Sequence, residues 1–401
     1  MNKNIKIATI LPYKENYTKS KAQAAAIWVS DFYKYSKFKK NNFIFGSTKG
    51  KTYLSKNYLN ININNLKSKF TSSTKEYCNN IIKQCDKFNF DVIEIHNRPK
   101  VFKYLASKIK SKYILYFHND PLSMKGSVSR NERLELLNSL EKIIFVSNWV
   151  RNRFFKNIDK KLIHKTEVVY PSIDIVKKIP SKEKKIIFVG KLNVSKGYDI
   201  YKEAIIKILD EFDDWKAFSI GDEDRERPVI YHKNHIEMGF LEHKDVLKVL
   251  GKCEIAVVPS RWEEPFGRTA LESSSRGCAT IISNRGGLTE TTNNSIVLKK
   301  LNSAELYREI KKLILNPKNR KKIQSKSFKN VKHITSENSL LIDSIRQSLF
   351  PNFNLNILNK RMRIINIYNS GQKNFHRLYN ISLGKKFTNG FIRNGHDVLE
   401  I

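Results

Sequence analysis

Cysteine is scarce: Cys78, Cys85, Cys253 and Cys278 are the whole supply. None stands in a C-x-x-C pair or has histidine partners at zinc spacing. A disulfide scaffold and a zinc module are therefore not expected, and the simplest reading is a reduced, cytoplasmic protein. Long apolar runs are also missing. A membrane-spanning helix needs roughly 20 consecutive apolar residues, whereas the run within Met1–Leu11 is strand-length and gives way to the charged Lys14-Glu-Asn-Tyr. That is neither a spanning helix nor a secretory signal. Acidic residues are outnumbered, 38 Asp and Glu against 74 Lys and Arg, for a formal charge of +36. Such a field admits nucleic acid, an anionic membrane surface or phosphorylated substrates as partners. Yet Lys, Asn and Ile recur throughout, so compositional bias accounts for most individual lysines. There is no Walker A pattern and no G-x-G-x-x-G fingerprint. No Asp-x-Asp stands at a strand end to hold a divalent metal.

What is present is an alternation of short apolar runs and helical spacing, repeated in two series. Ile5–Leu11 reads as a strand, 12–21 as a loop and Ala22–Tyr35 as a helix, the opening of a parallel α/β sheet. Strands follow at Phe43–Gly46, Phe90–Ile95, Tyr113–Phe117, Lys142–Ser147 and Glu167–Tyr170. Helices are expected at 77–85, 100–110, 132–140 and from Trp149 to Phe155. Pro171–Lys185 is polar and charged and reads as the linker. The second series has strands at 185–190, 215–220, 236–239, 254–259 and 279–283. Its helices are expected at 198–209, 243–251 and 268–276, with closing helices at Ser303–Leu315 and Arg320–Ile334. At 401 residues the chain is too long for one typical core. The expected organisation is a domain over 1–175, a second over 176–350 and a further piece over 351–401.

The chemistry concentrates after strand ends, the edge at which open α/β sheets bind ligands. Ser260-Arg-Trp-Glu-Glu-Pro-Phe-Gly-Arg-Thr-Ala-Leu-Glu272 follows an apolar strand, turns through Pro265 and Gly267, and enters a helix. A helix N-terminus offers free N–H groups to an anion. Glu264 before the helix and Glu272 on its early turns could reach opposite ends of one elongated ligand. Acidic residues at a helix start are equally ordinary complements of its dipole. Gly190-Lys-Leu-Asn-Val-Ser-Lys196 places two lysines in a loop after a strand, where they can act as point charges on phosphate or as a solvated basic loop. Gly286-Gly287 precedes another loop-to-helix step with permissive backbone.

The ordered blocks F-V-G-K-L…K-G, M-G-F-L, E-P-F-G-R-T-A-L-E and G-G-L-T-E resemble those of the retaining glycosyltransferases of family 4. The resemblance covers roughly residues 5 to 345. It implies the GT-B fold, α/β with two doubly wound Rossmann-like domains facing a central cleft. It further implies that Lys191 and Lys196 hold the donor diphosphate after Gly190. Glu264 would take sugar hydroxyls beside Pro265 and the N–H groups of Phe266 and Gly267. Glu272 would take the ribose, with Arg268, Thr269 and Gly287 also on the donor side. Gly239, Phe240 and Leu241 would line the base pocket. His118 resembles the family's active-site histidine, and the alternative is a turn histidine bonded to its neighbours. His96, Asn97 and Asp120 are expected on the acceptor side. No cofactor is expected, and metal-independent chemistry matches the family's habit.

The function so implied is transfer of a sugar from a UDP- or GDP-sugar to a cell-envelope glycan or lipid-linked acceptor, in the cytoplasm or on the inner face of the membrane. Departures exist. Lys191 stands where the family commonly has Arg, giving up bidentate geometry. The early loop Thr18–Ala26 lacks the family's glycines, leaving Ser20 or Lys21 to reach the ligand. Arg130 and Arg133 are either solvated surface or contacts for a phosphorylated acceptor. Residues 361–368, 378–394 and 396–401 read as a β-α-β opening, the start of a second glycosyltransferase-type domain. The rival readings are a GT-B epimerase or phosphorylase and a nucleic-acid binder; no RRM- or KH-like pattern supports the latter.

Overall fold

The structure is a computed structural model that describes residues 5–63, 72–225, 227–350, 363–366, 387–392 and 397–400. Residues 4–349 form one compact unit and 350–401, with 1–3, another.

The larger unit holds two sheets. The first contains β1 (Ile7–Ile10), β2 (Asn42–Gly46), β3 (Tyr58–Asn60), β4 (Val92–His96), β5 (Lys112–Phe117), β6 (Lys142–Phe145) and β7 (Thr166–Val168). Its order is β3-β2-β1-β4-β5-β6-β7 and every pairing is parallel. The α-helices among the described residues that connect these strands are α1 (Ala24–Tyr35), α2 (Ser73–Phe88), α3 (Pro99–Ala106), α4 (Arg130–Ser139) and α5 (Asn148–Phe154). The second sheet contains β8 (Glu183–Val189), β9 (Lys216–Ile220), β10 (His235–Glu237), β11 (Cys253–Val258), β12 (Ala279–Ile282) and β13 (Ile296–Val297). It is ordered β10-β9-β8-β11-β12-β13, again all parallel. Its helices are α6 (Tyr198–Glu211), α7 (His243–Lys252), α8 (Arg268–Ser275), α9 (Ser303–Leu315), α10 (Pro317–Lys329) and α11 (Thr335–Ser348).

Parallel strands covered by helices on both faces are buried on both faces, which is why they read as unbroken apolar runs. β1 is Ile-Ala-Thr-Ile, buried throughout. In each sheet the winding reverses beside the first strand, between β1 and β4 and between β8 and β11. A ligand crevice is expected outside the strand ends at those two points.

The chain's end differs from expectation. α10 stops at Lys329, and the helix expected over Arg320–Ile334 is interrupted there. A further helix, α11, returns to the first sheet and lies against α1: Ser339 Oγ donates to Phe32 O at 2.9 Å, and Ser36 Oγ to Asp343 Oδ1 at 2.8 Å. Its buried residues include Thr335, Ser339, Asp343 and Arg346, while Leu340 and Leu341 are exposed. The packed face mixes these polar residues with Ile342 and Ile345, so an apolar-periodicity reading misses it. The three-residue edge strand β3 also escaped the sequence pattern.

In the smaller unit, β14 (Arg363–Asn366) pairs in parallel with β15 (Asp397–Glu400), and residues 387–392 are helical. The rest of the strand–helix–strand expected over 361–401 lies outside the described residues.

Candidate active site

The basic loop and the acidic motif form one body. Gly197 ends the loop at φ +73°, and a Cβ there would sit 2.0 Å from Pro259 O, so only glycine permits the approach. Arg261 and Trp262 both donate their backbone N–H groups to Ser195 O, at 3.0 and 2.9 Å. This packing brings Lys196 Nζ to 2.6 Å from Glu264 Oε1. The second oxygen of Glu264 has no partner among the described residues, and Lys191, after Gly190, is exposed with no ion pair among them. One lysine is thus neutralised by the carboxylate and the other remains free for an anion.

The turn that carries Glu264 is held from behind. Gly287 N–H donates to Glu264 O at 2.6 Å, and a Cβ on Gly286 would lie 2.1 Å from that same carbonyl. Gly287, expected to offer its backbone to the donor, spends it on the turn instead. Ser147 Oγ, just beyond β6, donates to Pro265 O at 2.5 Å. Phe266 turns its ring into the core of the first sheet, near Tyr170 and His333, so only its backbone remains for a ligand. Gly267, at φ +97°, precedes α8, and no side chain caps that helix. The unfilled N–H groups of its first turn, around Thr269, are a site for an anion.

Glu272 is buried and paired twice through Oε1, with Arg268 Nε at 2.6 Å and His243 Nε2 at 2.8 Å. Burial alone would raise its pKa, but His243 and Arg268 hold it at about 2. Oε2 has no hydrogen bond among the described residues. Arg268 also reaches Asp31 of α1 at 2.6 Å, so its guanidinium ties the two sheets together. Glu290 does the same: its carboxylate accepts from Asn148 N and Trp149 N, each at 2.8 Å, and from Tyr170 Oη at 2.9 Å. It caps α5 from across the interface. On the base side, Gly239 has open space around it, its carbonyl accepts from Gly221 N, Phe240 is exposed and Leu241 packs on the second sheet.

The wall from the first sheet is built differently. His118 follows β5, with His96 Nδ1 2.7 Å from His118 Nε2. His118 N–H donates to Asn97 Oδ1 at 2.7 Å, and Asn97 is held at φ +55°. Burial keeps both imidazoles neutral: His96 falls to about 3, with Arg346 adding to the effect, and His118 goes well below the usual range. His96, expected at the acceptor, is 1% exposed and sits behind His118. Asp120 is also committed, accepting from Leu122 N through Oδ1 and from Arg153 through Oδ2 at 2.7 Å. Arg133 is neither solvated nor poised for an acceptor. It is buried and donates to the carbonyls of Phe154, Ser127, Val128 and Lys156.

Beneath this wall lies a network that the motifs did not show. Glu94, 1% exposed in β4, takes Arg346 Nε and Nη2 at 2.8 and 2.7 Å, Tyr116 Oη at 2.9 Å and Thr9 Oγ1 at 3.0 Å. A carboxylate inside an otherwise apolar strand was the available signal, since buried charges require partners. Its partner Arg346, 252 residues away in sequence, carried none.

Among solved structures, sucrose-phosphate synthase from Thermosynechococcus elongatus superposes with a TM-score of 0.69 at 13% identity, over 86% of this chain and 100% of that one. Anabaena Alr3699/HepE in complex with UDP superposes at 0.66 and 14% identity, over 86% and 100%. The fold of the two sheets is GT-B. Residues 170–330 match the family model described as glycosyl transferases group 1. The chain is 25% identical over 259 residues to spore coat protein SA of Bacillus subtilis (strain 168), covering 56% of this chain and 68% of that protein. It is 25% identical over 241 residues to the putative glycosyltransferase YtcC of the same organism, covering 52% of this chain and 59% of YtcC, less than two thirds of the latter. In that region the chain is similar to proteins described as glycosyltransferases. No helix among the described residues is long and apolar enough to cross a membrane.

Proposed function

We propose that the protein transfers a sugar, with retention and without a metal, from a UDP- or GDP-sugar to a cell-envelope glycan or lipid-linked acceptor. The observation that carries this is the Lys196–Glu264 contact at 2.6 Å beside an uncapped helix start. As the nucleoside diphosphate departs, charge builds on its phosphates. Lys196, held by Glu264, and the N–H groups entering α8 would meet that charge, with the exposed Lys191 joining them, and preorganised donors stabilise developing charge without reorganisation. Glu264 then has one oxygen on Lys196 and one for a sugar hydroxyl. Glu272, kept anionic by His243 and Arg268, presents Oε2 to the ribose. Gly239, Phe240 and Leu241 border the base, and His118 meets the transferred sugar from the opposite wall. The UDP bound in Alr3699/HepE, which shares the fold, supports a nucleotide donor.

Thermal-shift measurements with UDP, GDP and ADP test the donor, since a ligand that binds the native state raises the unfolding temperature by mass action. Glu272→Ala should weaken nucleotide binding, whereas Glu264→Ala should lower turnover and blur sugar selection while sparing affinity for free nucleotide. A protein that neither binds nor turns over any UDP-, GDP- or ADP-sugar sinks the proposal. Equal effects of the two substitutions on nucleotide affinity would overturn the division of labour.

A further inference from the structure

We infer that His96 is a positioning residue that fixes His118 in one tautomer, with its N–H on Nδ1 and directed at the ligand. Glu94, Tyr116 and Arg346 form the backing that holds His96 in place. The inference rests on the reading under which His118 meets the transferred sugar.

The two rings share one hydrogen bond, His96 Nδ1 to His118 Nε2 at 2.7 Å. Both are neutral, so one nitrogen of this contact carries the proton and the other accepts it. Two features of the surroundings decide which. His96 Nε2 is buried with no partner among the described residues. A proton there would leave an orphaned buried N–H, whereas a lone pair leaves only an unused acceptor, and orphaned donors are the rarer defect in folded proteins. Trp28 lies edge-on to the His96 ring, centroids 5.5 Å apart at 63°, and its Nε1–H is also buried without a partner. An indole nitrogen can only donate, so Trp28 supplies no nitrogen acceptor for a proton on His96 Nε2. The His96 proton therefore resides on Nδ1 and points at His118 Nε2. His118 accepts there and must carry its own proton on Nδ1, which has no protein partner among the described residues, on a ring that is partly exposed.

The arrangement is held on every side. His96 stacks on Tyr116 with centroids 4.4 Å apart and ring planes 8° from parallel. Tyr116 Oη donates to Glu94, which α11 clamps through Arg346. Asn97 fixes the backbone of His118. Chemically, the dyad presents a neutral N–H donor to a sugar hydroxyl or phosphate oxygen. It offers no lone pair on that edge, so His118 acts as a hydrogen-bond donor and does not take the proton of an acceptor hydroxyl.

The test is the tautomer itself, read by long-range ¹⁵N–¹H correlation on the full chain labelled with ¹⁵N-histidine at neutral pH. His118→Asn and His96→Asn variants assign the signals. His118 should show a protonated Nδ1 and an unprotonated Nε2, and His96 should show the same pattern. A protonated Nε2 on His118, or a cationic ring, overturns the inference. A functional arm uses the sugar nucleotide selected by the thermal-shift panel. His96→Leu should lower kcat about tenfold with donor KM unchanged, the scale of one hydrogen bond. His96→Asn, whose amide N–H replaces Nδ1–H, should restore most of it. Equal losses in the two variants would refute positioning, and unfolding temperatures report whether either variant has merely lost its fold. Wild-type turnover by His118→Ala would overturn the reading beneath the inference, whatever tautomer is observed.

Discussion

The two walls of this site solve opposite electrostatic problems. The wall from the second sheet keeps charges charged: Glu272 is buried yet held at about 2 by His243 and Arg268, and Lys196 is paired with Glu264. The wall from the first sheet keeps titratable rings uncharged, with His96 at about 3 and His118 also depressed by burial. One is suited to a ligand rich in negative charge and the other to hydroxyls. The contrast also separates how each wall is supported. The charged wall is braced by loops 191–197 and 285–290 packed on residues 259–267, and from the first sheet by Ser147 and Asp31. The neutral wall is braced from a distance, by α11 reaching back across the chain.

The largest expected effect tests that distant brace. Arg346→Met leaves Glu94 buried and anionic without its cation, and breaking a buried pair from one side typically costs about 3–5 kcal/mol. Chemical denaturation should show a loss of that order. Neutralising both partners, Arg346→Met with Glu94→Gln, should recover a large part of it. If the single variant unfolds like the wild type, α11 is not the support described here.

How legible the two walls were follows from the same difference. The charged wall could be read because its parts lie in recognisable loops after strand ends, and the spacing of Glu264 and Glu272 reflects local geometry: a strand, a Pro–Gly turn and a helix put them where they are. Parallel strands were legible because burial on both faces demands apolar runs. The neutral wall was only partly legible. His118 stood out after β5, but His96 was placed at the acceptor because nothing local shows that another ring covers it. Asp120 was placed there too, and its carboxylate is consumed by Arg153 and its own turn. α11 was invisible because Ile342 and Ile345 share its packed face with Thr335, Ser339, Asp343 and Arg346, polar residues whose burial makes sense only opposite partners such as Ser36 and Glu94. Partner choice over long sequence separations is set by topology, and composition and periodicity do not carry it.

The next effect probes the charged wall directly. Lys196→Ala removes the cation paired with Glu264, which under the proposed function stands near the departing phosphates. Loss of one preorganised donor costs about 10²–10³ in rate, so kcat should fall by that order while the unfolding temperature changes little. Lys196→Arg should retain much of the rate. A Lys191→Ala variant with the larger loss would show that the exposed lysine, and not the paired one, meets the leaving group.

A smaller effect is expected at the joint between the walls. Glu290→Gln removes the charge that accepts from Asn148 N and Trp149 N at the start of α5. A carboxylate at a helix start is worth about 0.3–1 kcal/mol through the dipole, so stability should drop by about that amount. A larger response in KM for donor than in stability would indicate that the joint also sets how the walls face each other.

The last expected effect builds up only with acid, and it separates the walls by where each is lost. His96 has a folded pKa of about 3 against an ordinary 6.5, so the unfolded chain takes up a proton first as pH falls. Stability contributed by keeping this ring neutral is complete above pH 6.5 and declines from there toward 3, at up to about 1.4 kcal/mol per pH unit for one proton. Trp28, Tyr116, His118 and the Arg346 guanidinium surround the ring, and none offers it an anion to soften the decline. Glu272 is depressed in the folded state from 4.5 to about 2, so its contribution is intact above pH 4.5 and is lost only as pH falls toward 2. Acid should therefore weaken the neutral wall before the charged one. Unfolding free energies measured at intervals from pH 7 to 5 should show a slope that His96→Leu reduces by about one proton and that Glu272→Gln leaves unchanged. A slope in that interval that responds to Glu272 and not to His96 would reverse the assignment of the two walls.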